Sequence, residues 1–486
     1  MRLYNTLSHA KEDFAPAGPS AVKMYVCGIT AYDLCHIGHA RSAVVFDVLV
    51  RYLRYLGMPV TFVRNFTDVD DKIINRANRE GVAPEALSAK YIEAFYEDMD
   101  RLGVLRADFE PRATEYIGEM VRLAEHLIAK GHAYATPGGD VYFRVRSFAG
   151  YGKLSGRDVE DMRSGARVAP GEEKEDPLDF ALWKAAKPGE PTWESPWGPG
   201  RPGWHLECSA MSEKLLGLPV DIHGGGQDLI FPHHENEIAQ SEAAADKGFA
   251  RFWVHNGFVR INAEKMSKSL GNFVTIRDIY ACFLPETLRF FLLSSHYRSP
   301  LDYSADALAE AEKGLRRIYF ALAQIEETLA ATKWSPSPLP KALAEEFASL
   351  RQGWRDSLDD DLNTAGALGQ IFGLARLAGR VMDDKGLRKS EGGRELLTGV
   401  REALRECGGV LGVPAGEPAQ FLDALRECRL NRQGVDKAKM ESLLAERAAA
   451  RAAKDFALSD TLRGDLEALG VEVKDTPAGQ TWDVVA

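Results

Sequence analysis

The sequence predicts an α/β protein: a doubly wound parallel sheet carrying an insertion, followed by an α-helical bundle and a small C-terminal domain. Three observations predict it. Short apolar runs alternate with amphipathic helical stretches near the N-terminus, the same alternation resumes near residue 220, and beyond about residue 305 the chain keeps a helical period in Ala, Leu, Glu and Arg. At about 150 residues per domain, 486 residues give about three domains, each long enough to bury a core. A composition of 45% hydrophobic and 27% charged residues is that of a globular chain and excludes a wholly disordered one.

Residues 21–28 form a short, mostly apolar run ending in glycine, a buried strand, and 40–56 show helical periodicity, so a loop joins them. Residues 60–65 read as the next strand and 70–79 as the next helix. An amphipathic helix is expected over 113–130 and a hairpin over 134–145, where β-prone runs flank Pro137, Gly138 and Gly139. The acidic stretch 172–176 and the Pro/Gly-rich run 187–203 read as surface loops. About 113–200 is therefore read as an insertion, with a separate domain as the alternative. Strands return at 220–222 and 251–259. The breaker clusters 335–340 and 408–418 punctuate the helical part, and the tail mixes basic helices with strand-like 471–473. The domain reading is 1–305 catalytic, 306–410 helical bundle and 420–486 C-terminal.

With 60 basic and 71 acidic residues the formal charge is −11, so a nucleic acid is repelled at long range unless cations are gathered on one face. Six cysteines, at 27, 35, 208, 282, 407 and 428, are too scattered for a disulfide framework and point to a reducing compartment. No secretion signal and no membrane span are expected, and the location expected is the cytoplasm.

His36-Ile37-Gly38-His39 stands at the first strand-to-helix loop. Two imidazoles at a helix N-terminus can hydrogen-bond phosphate oxygens where the dipole favours negative charge, and Gly38 leaves room for a base; a structural turn is the alternative. Lys265-Met266-Ser267-Lys268-Ser269 lies in a Gly/Asn-bounded loop, 262–272. Its ammonium groups and hydroxyls can stabilise charge on a triphosphate, and a solvated basic loop is the bland reading. Cys27, Cys208, His233 and Glu237, the last two four residues apart on one helix face, can close a four-ligand zinc shell; no CxxC spacing is present, and four independent buried core residues are the alternative.

The HIGH-like and KMSKS-like pair, in this order, resembles the class I aminoacyl-tRNA synthetases. Within them, residues 25–30, 203–209 and 223–237 are closely similar to cysteinyl-tRNA synthetase over essentially the whole chain. The resemblance implies a Rossmann-type catalytic domain that activates L-cysteine with ATP, as its Mg²⁺ complex, and transfers it to the 3′ end of tRNA(Cys). It implies one Zn²⁺ on Cys27, Cys208, His233 and Glu237. A substrate thiol becomes thiolate on zinc while a serine hydroxyl binds poorly, which separates two near-isosteres; a closed structural zinc is the alternative.

On the same footing His36, His39, Lys265 and Lys268 are catalytic, and Gly38 with His36, His39 and Lys268 binds the nucleotide. Asp228 pairs with the substrate ammonium, Thr67 with its carboxylate, and Trp204 walls the pocket. His205, His223, His234 and His255 are read as structural or outlying contacts. Residues 359–365 resemble the family's bundle motif and 475–482 its anticodon-contacting end, where Trp482 and the basic run Arg429, Arg432, Lys437, Lys439, Arg447, Arg451 and Lys454 can meet RNA; a solvated basic face is the alternative. A monomer is implied. Two rivals remain: a cysteine ligase acting on an amino sugar, which needs no long tail, and a noncatalytic paralogue, which would be expected to lose the phosphate-handling motifs.

Overall fold

The computed structural model describes every residue except 19–20, 161–172, 262–263, 266–272, 331–332, 477–478 and 485–486. The chain divides into two compact units. One comprises Met1–Phe273, Ser295–Asp302 and Asp356–Thr364; the other comprises Val274–Ser294, Tyr303–Arg355 and Ala365–Ala486.

The first unit is built on a four-stranded parallel sheet in the order Ala250–Asn256, Val220–Gly226, Val22–Thr30, Val60–Thr67. The strands read as near-continuous apolar runs because both faces are covered, the usual condition of a parallel sheet. The chain starts in the strand Val22–Thr30, moves outward to Val60–Thr67, and later fills the other side with Val220–Gly226. The winding direction therefore reverses between Val22–Thr30 and Val220–Gly226, and a crevice opens at their carboxyl ends.

The helix Ile37–Tyr55 follows the first strand and buries Val44, Phe46, Val48, Leu49, Tyr52 and Leu53. The hairpin expected at 134–145 forms between Ala133–Ala135 and Val141–Phe143, and extends through Phe180–Ala185 and Gly200–Pro202 into an antiparallel sheet. Phe143 and Trp183 of that sheet share one apolar cluster with Cys27, Leu206, Cys208, Met211 and Ile238. The inserted segment thus packs on the same core that holds the cysteines. The helix expected over 113–130 begins as the tight turn Ala113–Tyr116 and continues as Ile117–Ala129.

Among the elements without a counterpart in the sequence reading are the hairpin Arg2–Asn5 with Ala10–Asp13 and the helices Pro84–Arg101 and Trp204–Leu216, and the strand Gly200–Pro202 forms within the run read as a surface loop. Within the same unit Asp361, fully buried with φ of 62°, accepts from the Tyr4 backbone N–H (2.8 Å), the Tyr297 hydroxyl (2.7 Å) and Arg298 (2.7 Å). A short acidic side chain tolerates that backbone, and three donors offset the burial of its charge.

The second unit contains the helices Ala305–Leu329, Glu391–Leu411, Pro418–Gln433, Lys437–Ala452 and Phe456–Ala468, and the hairpin Val471–Thr476 with Gly479–Val484. Gly412, at φ of 70°, ends the Glu391–Leu411 helix inside the expected 408–418 breaker. Much of the basic run is internal structure. Arg429 and Arg432 bond buried Glu312, and buried Arg447 bonds Asp475 and Gln480, while Arg451 and Lys437 pair with Asp475 and Glu427. Buried Arg429 and Arg447 serve the fold, with Arg432 sharing Glu312, while Lys437 and Arg451 pair at the surface. Arg426 lies over the Trp482 ring at 5.5 Å.

Candidate active site at the sheet reversal

The strands Val22–Thr30 and Val60–Thr67 slip register between Val26 and Ile29, so Cys27 and Gly28 together oppose Asn65. Such a bulge re-aims a side chain at a sheet end. Glycine is required there: a Cβ on Gly28 would lie 1.6 Å from the Asn65 carbonyl oxygen, and the Gly28 N–H donates to Asn65 Oδ1 at 2.9 Å. Cys27 is thereby turned toward the helix Trp204–Leu216, which carries Cys208.

His233 and Glu237 arrive from the next segment. His233 sits in the wide turn Ile230–His234 that feeds the helix Glu235–Ala245, so the pair is set by that turn rather than by one continuous helix. His233 Nε2 is 2.9 Å from Glu237 Oε1, and Cys27 Sγ is 3.3 Å from Glu237 Oε1 and 3.5 Å from His233 Nε2. The ligand atoms of Cys27, Cys208, His233 and Glu237 all lie within 4.8 Å of one another, and all four side chains are buried. Cys27, His223, His234 and Glu237 form a second such group. His233 Nδ1 is 2.9 Å from His205 Nδ1, and the Trp204 ring stacks on His233 at 4.3 Å.

These side chains share protons. Burial pushes the Cys27 thiol well up, and neighbouring Cys208 adds to it. Burial would also raise Cys208, but hydrogen bonds with Cys27 and His233 outweigh it and bring that thiol down to about 6. Against burial, the charges of His223 and His233 hold the Glu237 carboxyl well below the usual carboxylate range. Burial disfavours the charged form of His233, yet the Glu237 carboxylate raises it to about 10. Two sulfurs, an imidazole and a carboxylate at ligand-to-ligand distances suit a tetrahedral, borderline-soft divalent ion. The Glu237 carboxylate is fully buried with Oε1 facing His233 and Oε2 facing His223, so its charge is met on both sides by imidazoles that a bound ion would relieve of protons.

Beside the cluster lies a pocket of about 420 Å³ at the carboxyl ends of the strands, lined among others by Cys27, Thr30, His36, His39, Trp204 and Asp228. Of the Cys27, Cys208, His233 and Glu237 set only Cys27 reaches its wall. His36 is the N-cap of Ile37–Tyr55: its Nδ1 accepts from the N–H groups of Gly38 (3.0 Å) and His39 (3.3 Å), while His39 Nδ1 accepts from His36 N–H (3.3 Å). A nitrogen that accepts carries no hydrogen, so both neutral rings bear theirs on Nε2. The rings stack at 3.6 Å, presenting two donors beside a helix N-terminus.

Asp228 is exposed at the pocket. Thr67 is not among the lining residues: it is 2% exposed, and its hydroxyl donates to Glu207 Oε2 at 2.6 Å. The hydrogen of that hydroxyl goes to buried Glu207. The backbone of Lys265 pairs with Arg260 in a short antiparallel ladder. Lys268 and the rest of 266–269 lie outside the described residues. The sequence reading took His223 and His234 only as structural or outlying contacts and gave Glu207 no role. The His223-Gly224-Gly225-Gly226 run carried one signal, because a Cβ on Gly224 would lie 2.3 Å from the Phe46 ring and the strand end must therefore stay bare.

A model of the class I (C) tRNA synthetase catalytic domain matches residues 13–313, a DALR domain model matches 353–415, and a cysteinyl-tRNA ligase anticodon-binding domain model matches 437–482. Among solved structures, a Mycobacterium tuberculosis methionyl-tRNA synthetase with methionyl-adenylate aligns at a TM-score of 0.63 and 17% identity, over 82% of this chain and 94% of its own. A leucyl-tRNA synthetase of Agrobacterium radiobacter in a ternary complex aligns at 0.60 and 12%, over 84% and 87%. The fold and the catalytic-domain match define a class I aminoacyl-tRNA synthetase. Cysteine–tRNA ligases of Solidesulfovibrio magneticus and Nitratidesulfovibrio vulgaris are 67% and 66% identical over the full length of both chains, and that of Lawsonia intracellularis is 53% identical. The chain belongs to the cysteine–tRNA ligase family and is an ATP-dependent ligase.

Proposed function

We propose that this chain condenses L-cysteine with ATP to cysteinyl-adenylate and passes the cysteinyl group to the 3′ end of tRNA(Cys), and that Cys27, Cys208, His233 and Glu237 hold a Zn²⁺ beside the substrate side chain. The observation that carries the metal reading is the buried four-donor group, which meets the pocket only through Cys27. A zinc ion held there supplies a soft Lewis-acidic position that takes a thiolate in preference to a hydroxyl.

The remaining roles fall to side chains of the pocket. The Nε2–H groups of His36 and His39 donate to phosphate oxygens as charge builds on the α-phosphorus, with the N-terminus of Ile37–Tyr55 behind them. Gly38 keeps the nucleotide side open, and Lys265 and Lys268 add cations to the triphosphate, which enters with Mg²⁺. The Asp228 carboxylate pairs with the substrate ammonium. Trp204 walls off the amino-acid side and stacks on His233, fixing its ring. The substrate carboxylate is the nucleophile, so no side chain need form a covalent intermediate; catalysis is positioning and charge stabilisation.

In domain terms, 1–305 is catalytic with its insertion near 113–200, 306–410 is a helical bundle, and 420–486 reads the anticodon, where Trp482 offers a stacking face with Arg426 over it. No helix of the described residues is long and apolar enough to cross a membrane. A cytoplasmic location is in keeping with the sparse cysteines, and a monomer is what the family resemblance implies.

Pyrophosphate exchange tests the proposal. Exchange is expected with cysteine and not with serine, and removal of the metal is expected to abolish it while ATP still binds. Equal exchange with both amino acids, or full cysteine exchange in metal-free protein, overturns it.

A further inference from the structure

We propose that Arg41 is a positioning residue for the nucleotide: a buried cation that ties the turn 296–299, and through it the pocket wall at 256–258, to the helix that carries His36 and His39. The inference rests on the reading that puts the triphosphate beside those two histidines.

Arg41 stands two positions after His39 in the helix Ile37–Tyr55 and is fully buried. Burial brings its guanidinium down to about 10, and no carboxylate answers it among the described residues. Its Nη2 donates instead to the backbone carbonyls of His296 (3.1 Å), Tyr297 (3.2 Å) and Ser299, while Nε and Nη1 have no hydrogen-bond partner. A guanidinium buried on these terms costs free energy that an apolar side chain of similar volume would not. Stability gives no reason for an arginine at this place, so the reason lies in what the cation holds.

What it holds is the back of the pocket wall. The Tyr297 carbonyl that meets Arg41 also accepts from the Gly257 N–H at 2.8 Å, and Gly257 lines the pocket with Asn256 and Phe258. The carbonyl oxygens of Arg298 and Ser299 crowd the same glycine, since a Cβ there would lie 2.6 Å from each. Gln227, the neighbour of Asp228, donates to the Arg298 carbonyl at 3.4 Å. The side chains of the turn are fixed separately: Asp361 accepts from the Tyr297 hydroxyl and from Arg298.

Two consequences follow for an anionic ligand. One carbonyl joins the strand end at Gly257 to the helix of His36 and His39, so it sets the separation of the two walls between which the nucleotide has to be aligned. The carbonyl oxygens gathered behind Gly257 also carry partial negative charge, which would oppose a triphosphate at the pocket. Arg41 is the cation that offsets them, already in place before the nucleotide arrives.

Pyrophosphate exchange by the full-length, metal-loaded enzyme tests this, with KM measured separately for ATP and for cysteine and rates referred to titrated active sites. Arg41→Gln keeps a donor for the carbonyls and removes the charge, whereas Arg41→Lys keeps both. The KM for ATP should rise about tenfold or more in Arg41→Gln, the scale of a lost charge-assisted bond, while the KM for cysteine stays within about twofold of wild type. Arg41→Lys should recover most of the loss. If Arg41→Gln does not fold, Arg41→Met is read by the same criterion. A wild-type KM for ATP in the uncharged variant overturns the proposal. So does a parallel rise of both KM values, which simple loosening of the core would give, and so does an Arg41→Lys enzyme no better than the uncharged one. His39→Asn in the same assay keeps the two readings apart. Wild-type ATP dependence there overturns the placement of the triphosphate and Arg41's role with it; an impaired His39→Asn beside an unimpaired Arg41→Gln overturns the role of Arg41 alone.

Discussion

Replacing Gly28 by alanine attacks the fold and the site through one atom. A Cβ there would sit 1.6 Å from the Asn65 carbonyl oxygen, so the two strands must part by at least 1.4 Å to reach the 3.0 Å below which such contacts essentially never occur. The obstructing atom is backbone of a neighbouring strand, and neither partner can rotate away. Overpacking of this kind costs about 1–3 kcal/mol. The same displacement breaks the 2.9 Å bond from Gly28 N–H to Asn65 Oδ1, about 1 kcal/mol more, so the loss should be about 2–4 kcal/mol. Cys27 moves with its neighbour, away from His233 and Glu237 on another element, and metal affinity should fall by about 10–100-fold, the scale of a disturbed ligand shell. Urea unfolding measures the first quantity, and zinc competition against a chromophoric chelator the second. A Gly28→Ala protein with wild-type midpoint and zinc affinity would refute the claim that the bulge aims the cysteine.

Four further outcomes follow from the same structure. Cys208→Ser should lose cysteine-dependent pyrophosphate exchange while ATP affinity changes little, because His36 and His39 lie on another element; equal exchange activity contradicts the metal role. Glu312→Gln removes the carboxylate that buried Arg429 and nearby Arg432 share, and thermal unfolding should reveal a loss of about 3–5 kcal/mol, as when one partner of a buried ion pair is removed; a loss below about 1 kcal/mol would sink that reading. Gly464→Ala, in the helix Phe456–Ala468 where a Cβ meets nothing within 4 Å, should stabilise by about 0.5–1 kcal/mol in the same assay. Affinity for tRNA should fall steeply with salt despite the formal charge of −11, since contacts to phosphates release counterions; a flat response between low and moderate salt contradicts it.

The features legible in the sequence are those set by neighbours along the chain. The runs at 21–28 and 60–65 become the strands Val22–Thr30 and Val60–Thr67 because unbroken apolar residues fit a sheet covered on both faces. Pro137, Gly138 and Gly139 mark the turn of the Ala133–Ala135 and Val141–Phe143 hairpin. The hairpin Arg2–Asn5 with Ala10–Asp13 escaped because it is short, polar and without a turn signal. The contact Thr67 makes was illegible for a different reason: its partner, Glu207, stands 140 positions away, and nothing local says which way a strand residue points. The cations 429 to 454 read as a basic surface by composition, yet Arg447 is buried against Asp475 and Gln480. A charge run tells how many cations there are, not whether tertiary acids have taken them.

The His36/His39 pair carries the argument one step beyond legibility. Spacing alone puts two imidazoles at a helix start, where either tautomer is open to each ring. Capping removes that freedom: four residues of sequence satisfy the first N–H groups of Ile37–Tyr55 with the Nδ1 atoms, and the hydrogens are left on Nε2. The groups that cap the helix are thus also the groups proposed to donate to a phosphate. On the proposed reading it is through Nε2 that the two rings meet a phosphate, with the dipole of Ile37–Tyr55 behind them.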